Sequence, residues 1–232
     1  MEVKIDGKTF YRYIMPAIES NMYILIEGEG ALIVDPNINQ EALALLQRRG
    51  VHKVIVLLTH EHFDHISGVN WLRTLFETHV ICSALCAELL GDSSRNMAKF
   101  WEAMIMDKSD EAKREGEKIK DVEYTCRADR IYEDEMLLDW HGHALNMRQA
   151  PGHSKGGSLI WLDKKILFSG DNLVNGTGVI CRLPGGNKRE YAAQTRPVLE
   201  SLSDEIYILP GHGAPGQLGD MRQYLNLFGK GR

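Results

Sequence analysis

The sequence predicts an α+β domain in which two β-sheets stack face to face with helices on the outside. Three observations carry this expectation. Short apolar runs rich in β-branched residues alternate with stretches of helical periodicity, strands and helices recur in a similar order in the two halves, and neither a low-complexity linker nor a short-period repeat divides the chain. At 232 residues, 44% hydrophobic and 25% charged, residues 1–232 read as one domain.

Residues 3–14 and 21–34 read as short strands, the second stretch folded into a hairpin at Glu27-Gly28-Glu29-Gly30. Asp35-Pro36 ends that hairpin, and Asn39 can cap a helix over Glu41–Arg49 whose apolar face is Ala42, Leu45 and Leu46 and which stops at Gly50. Val54–Leu58 follows as a buried strand, 67–76 as a helix with Val69 and Leu72 on one face, and Thr78–Cys82 as a strand. Residues 84–120 differ: Ala, Glu, Lys, Met and Asp dominate, and Met97, Trp101, Met104 and Ile105 recur at helical spacing. This reads as a helical insertion. Its Phe100, Trp101, Met104 and Met106 exceed what a solvated helix needs, so it is core, a lid or a homodimer contact. From Arg130 strands return at 136–138, 144–148, 158–162 and 165–168, then a helix over 191–202, a strand over 206–209 and a terminal helix over 218–228.

Charge does not argue for nucleic acid, since 27 basic and 32 acidic residues leave a net charge of −5 and no long basic run. The first residues lack a signal-peptide pattern and no 18-residue apolar run occurs, so a cytoplasmic protein with a small-molecule substrate and no membrane contact is expected. Cys82, Cys86, Cys126 and Cys181 form no C-x-x-C pair and are expected as free thiols, Cys181 near the site described next.

The buried strand at Val54 runs into His60-Glu61-His62-Phe63-Asp64-His65, three histidines and an aspartate in six positions. A chain of this composition produces that pattern by accident roughly once in a thousand. Three later strands end the same way, in Ala150-Pro151-Gly152-His153, Phe168-Ser169-Gly170-Asp171 and Leu209-Pro210-Gly211-His212, where glycine lets the backbone turn and tip one side chain into a shared rim. Imidazole and carboxylate donors without cysteine suit divalent transition metals, zinc first, with iron or manganese also accommodated.

These motifs resemble those of metallo-β-lactamase-fold metallohydrolases over essentially the whole chain. The resemblance implies an αββα sandwich of two mixed β-sheets and a dinuclear site. It assigns His60, His62 and His153 to one metal, Asp64, His65 and His212 to the second, and Asp171 as the bridge. Asp35 and Thr59 are then expected behind the ligands, orienting them. The implied chemistry is attack on a carbonyl by hydroxide held at the metals, with Asp64 orienting it and passing its proton to the leaving group. His141 and His143 fall where the family has a hairpin turn.

Within the family, the retention of both His65 and Asp171 argues against an antibiotic-degrading role. Gly170-Asp171-Asn172-Leu173, Gly176-Thr177-Gly178 and Arg182–Asn187 are similar to small glyoxalase II-like thioesterases, so an acyl thioester is the expected substrate. The extra helical domain of full-length glyoxalase II has no counterpart in this sequence, and the apolar insertion suits an acyl chain or aromatic group. Phe100, Trp101, Met104, Arg182, Lys188 and Arg189 are the expected substrate contacts. The alternatives are a lactonase or phosphodiesterase on the same metals, a mononuclear iron persulfide dioxygenase, and a non-catalytic binding protein.

Overall fold

The computed structural model describes residues 1–229. Its first sheet is built from β1 (Glu2–Ile5), β2 (Lys8–Ile14), β3 (Asn21–Glu27) and β4 (Gly30–Val34), all antiparallel neighbours. Asp6 and Gly7, both at positive φ, make the tight turn between the first two strands, as Asp-Gly pairs do. After α1 (Gln40–Arg48), capped by the Asn39 side chain on the Ala42 N–H, the chain returns as β5 (Lys53–Leu57) parallel to β4.

A separate helical turn, α2 (Phe63–Ile66), comes first, and the helix expected over 67–76 is present but shorter, as α3 (Val69–Arg73). The break falls where the Gly68 N–H leaves the helical ladder and donates to the Pro36 carbonyl. Parallel β6 (Glu77–Ser83) follows, then α4 (Ala84–Leu90), a 3₁₀ turn at Ala98–Phe100, α5 (Trp101–Ile105) and α6 (Asp110–Lys118). β7 (Arg130–Tyr132) closes a seven-stranded sheet in sequence order.

The second sheet has six strands. These are β8 (Glu135–Trp140), β9 (His143–Gln149), β10 (Ser158–Leu162), β11 (Ile166–Gly170), β12 (Tyr207–Pro210) and β13 (Gly216–Gln217), antiparallel except for the β11–β12 pair. His141 and Gly142, at positive φ, form the expected hairpin turn between β8 and β9. The helix expected over 191–202 is present but widened. α7 (Lys188–Glu190) passes through a π turn at Tyr191–Thr195 into α8 (Arg196–Glu200), because Pro197 has no N–H to continue the regular ladder. The terminal helix is shorter than expected: α9 (Leu218–Met221) gives way to a 3₁₀ turn, and Phe228 bridges to Val179 in extended conformation.

Side chains of alternate parity from both sheets interdigitate between them, Phe10, Tyr23, Leu32 and Leu57 from one against Met147, Ile160, Phe168 and Leu209 from the other. Helices cover both outer faces, giving the four-layer sandwich. The insertion belongs to one outer layer, and Trp101 is its anchor: fully buried, edge-on to Phe63 at 5.0 Å, its Nε1 donating to the Gly116 carbonyl at 3.0 Å. This corrects the expectation that Trp101 touches substrate. Met104 is partly buried against the same core, whereas Phe100 and Met106 stay exposed. No helix among the described residues is long and apolar enough to cross a membrane.

Candidate metal centre

Parallel strands end together, so β4, β5, β11 and β12 deliver their following residues to one rim of the sandwich. Asp35, Thr59-His60, Asp171 and His212 are those residues, and the loop after β9 adds His153. Two groups of donor atoms assemble there within 4.8 Å of one another, His60 with His62 and His153, and Asp64 with His65 and His212. Asp171 lies between them: its Oδ2 is 3.5 Å from both His153 Nε2 and His212 Nε2, and its Oδ1 is 3.6 Å from His65 Nε2. Gly211 permits this crowding, since a Cβ there would sit 2.2 Å from Asp171 Oδ1.

Three of the imidazoles have their other ring nitrogen held by the protein. His153 Nδ1 donates to the Ile180 carbonyl at 2.7 Å, which turns Nε2 to the cluster. His65 Nδ1 donates to Asp35 Oδ2 at 3.0 Å. Thr59 donates twice to Asp35, from N at 2.8 Å and Oγ1 at 2.6 Å, leaving Oγ1 to meet His60 Nδ1 at 3.0 Å. Asp35, His60 and His65 also lie within metal-binding distance of one another. Their facing atoms are already consumed by these hydrogen bonds, so that group is an orienting network rather than a third metal position.

Electrostatics divide the cluster. Burial, helped by the His65, His62 and His153 imidazoles, holds His60 well below the usual imidazole range; burial and His153 take His62 down to about 3; burial lowers His153. These three are neutral and offer lone pairs. On the other side burial opposes the carboxylate, but His65 and His212 hold Asp64 well below its ordinary value, and His212, His153 and His65 lower Asp171. Burial likewise opposes the charging of His65 and His212, yet Asp64 and Asp171 raise both, with Asp35 adding to His65.

A divalent cation fits this donor set. His60 Nε2, His62 Nε2, His65 Nε2 and Asp171 Oδ1 are buried with no hydrogen-bond partner, a costly arrangement unless another group satisfies them. His212, with its side chain 22% exposed, marks the side on which the site opens.

Glu61 gives no signal in the sequence beyond its place between two histidines, yet it is almost wholly buried, accepts from Ser154 Oγ at 3.1 Å, and is pushed up to about 7 by burial. Asn172, which the sequence offers only as part of the Gly170–Leu173 stretch, accepts from the His153 N–H and donates to the Ala150 carbonyl. The expected peripheral contacts are dispersed. Arg182 and Arg189 are exposed, and Lys188 lies 4.9 Å over the Phe228 ring. Cys181 is buried and its thiol pushed up to about 11 by burial, away from the thiolate form that binds metals.

Comparison with known proteins agrees with this geometry. The family model of the metallo-beta-lactamase superfamily matches residues 16–212. A probable metallo-hydrolase, YqgX of Bacillus subtilis, is 27% identical over 221 residues, covering 91% of this chain and 94% of that protein. The hydroxyacylglutathione hydrolase GloC of Haemophilus influenzae is also 27% identical, covering 89% and 92%. Among solved structures, BLEG-1 B3 metallo-beta-lactamase superposes with a TM-score of 0.75 at 25% identity, covering 94% of this chain and 98% of that one. TTHA1623 in a di-iron-bound form gives 0.70 at 24% identity, covering 93% and 98%. The chain belongs to the metallo-beta-lactamase superfamily.

Proposed function

We propose that this protein is a two-metal hydrolase of acyl thioesters. The observation that carries the reading is the pair of donor groups flanking Asp171, with His60 Nε2, His62 Nε2 and Asp171 Oδ1 buried and without a hydrogen bond. His60, His62 and His153 would hold one ion, Asp64, His65 and His212 the other, and Asp171 would touch both. Such ions, zinc foremost and iron or manganese as alternatives, supply an activated water and a Lewis acid for the carbonyl oxygen.

The remaining work falls to the protein. Asp64 Oδ2 stands 3.2 Å from both His65 Nε2 and His212 Nε2 and stays ionised, so it can accept a proton from the attacking water and return it to the leaving group. Asp35 and Thr59 keep His60 and His65 pointed inward, and the Ile180 carbonyl does so for His153. The relative that hydrolyses hydroxyacylglutathione supports a thioester as substrate. The insertion lends less support than its composition suggested, because Trp101 faces the core. Four free cysteines suit a reducing compartment such as the cytoplasm.

The test is a panel of thioesters, lactones, phosphodiesters and a β-lactam, assayed after reconstitution with zinc, manganese or iron. Thioester hydrolysis lost on chelation and in His62→Ala is the expected result. Activity that survives chelation overturns the metal mechanism; one iron per chain with oxygen consumption on a persulfide substrate replaces it with a dioxygenase.

A further inference from the structure

The loop that carries His212 belongs to the second sheet, yet it is gripped by side chains of the first. Tyr23 Oη, on β3, donates to the Pro210 carbonyl at 2.9 Å. Asn21 Nδ2 reaches Pro210 O at 2.8 Å and Gly213 O at 3.0 Å, and the Asn21 N–H donates to Gly211 O at 2.7 Å. Arg12, on β2, donates from Nη2 to Gly213 O at 2.7 Å and from Nε to Asn21 Oδ1 at 2.8 Å. Carbonyls on both sides of His212 are therefore fixed by one buried, interconnected cluster. Its members are 8% (Arg12), 1% (Asn21) and 2% (Tyr23) exposed.

Burying a guanidinium is expensive, and here its hydrogen bonds go to an amide and a backbone carbonyl rather than to a carboxylate. Burial also pushes the Tyr23 phenol up, so it remains a donor. The neighbouring Ser20 Oγ donates to the Asp64 carbonyl at 3.0 Å and the Ser20 backbone bridges to His212, so the residue entering β3 touches two of the three residues of the second donor group. His60, His62 and His153 are outside this cluster: Thr59 orients His60, the Ile180 carbonyl orients His153, and His62 Nδ1 meets His153 Nε2 at 2.9 Å. The grip is one-sided.

We propose that Arg12, Asn21 and Tyr23 are positioning residues that set the affinity of the Asp64–His65–His212 position while leaving the His60–His62–His153 position alone. The inference rests on the two-metal reading above. Fixing the carbonyls that flank His212 fixes where its Nε2 stands relative to Asp64 and Asp171, and a ligand that wanders loses affinity at its own ion first.

The test dialyses zinc-loaded, full-length protein against a graded chelator series and counts the metal retained, with the fold followed by circular dichroism. The wild type should lose its two metals in separate steps. His212→Ala, as a benchmark, should lack the weaker step. Asn21→Ala and Arg12→Met should release that metal at about 10–100-fold lower chelator while the first stays bound as in the wild type. Tyr23→Phe removes one hydroxyl and keeps the ring against Phe168, so it should fold and shift the same step by up to about ten-fold; it decides the matter if the other variants do not fold. A two-metal wild type whose second step is unmoved in the folded variants, or variants that weaken both steps equally, overturns the inference alone. A wild type that holds one metal overturns the two-metal reading and the inference with it.

Discussion

His65 and Asp35 meet at 3.0 Å beneath the metal-ligand rim, Nδ1 to Oδ2, both buried. The same carboxylate accepts two hydrogen bonds from Thr59, so Asp35 ties the end of β4 to the loop that carries four of the candidate ligands. Asp35→Ala would leave the Thr59 N–H, the Thr59 hydroxyl and His65 Nδ1 without their acceptor. The expected outcome is a loss of about 1–3 kcal/mol in chemical denaturation, together with about 10–100-fold weaker metal binding. Elemental analysis after dialysis reads the second effect.

Metal uptake should depend on pH unequally at the two positions. His65 and His212 titrate above the usual imidazole value of about 6.5 in the metal-free site, so they carry protons near neutrality that a metal must displace. Affinity at their position should rise with pH up to the raised value and fall on acidification. His60, His62 and His153 are shifted the other way, with His62 down to about 3, so between about pH 6 and pH 8 the first position should depend on pH less than the second. Zinc-buffered titrations at both ends of that range check it; equal pH slopes at the two positions contradict it.

Gly211→Ala should damage the site without unfolding the protein. The added methyl would press on Asp171 Oδ1 at 2.2 Å and on His65 Cε1 at 2.9 Å. Native circular dichroism with reduced metal content is the expected pair of readings.

Trp101 and Phe100 are adjacent but should respond oppositely. Trp101→Ala empties a buried site against Phe63 and should lower stability by about 3–5 kcal/mol, seen as a fall in Tm. Phe100, 42% exposed, should cost no more than about 0.5 kcal/mol when replaced by alanine. A Trp101→Ala variant that melts like the wild type but loses substrate affinity would return Trp101 to the substrate-binding surface.

On the acid side, Asp129 accepts from Arg73 and from the Val80 N–H, and these bonds outweigh burial to hold its carboxyl below its ordinary value. A depressed carboxyl contributes stability that is complete above its unfolded value of about 3.9 and is lost as pH falls through the folded one. The group is partly solvated, so the effect should be at most about 1 kcal/mol. Asp129→Asn should therefore destabilise at neutral pH and flatten the acid limb of the stability curve.

By itself the sequence determined the alternation that makes the two sheets, the Asn39 cap, the His141-Gly142 hairpin and the strand ends that carry His60–His65, His153, Asp171 and His212. All of these are local, written in period, turn chemistry or a short motif. It did not show that Glu61 is buried or that Trp101 turns inward, because a carboxylate or an indole reads the same in sequence whichever way it faces. Nor did it show where the helices break, since Gly68 leaves its helix for a carbonyl more than thirty residues back and Pro197 opens a turn only in a helix already formed. Least legible of all was the grip of Arg12, Asn21 and Tyr23 on the His212 loop. Those hydrogen bonds span up to 201 residues and join two sheets, so they exist only once the sheets are packed. The candidate ligands were thus named by local sequence and placed by the tertiary structure, which alone brings strand ends and the residues that hold them within hydrogen-bonding distance.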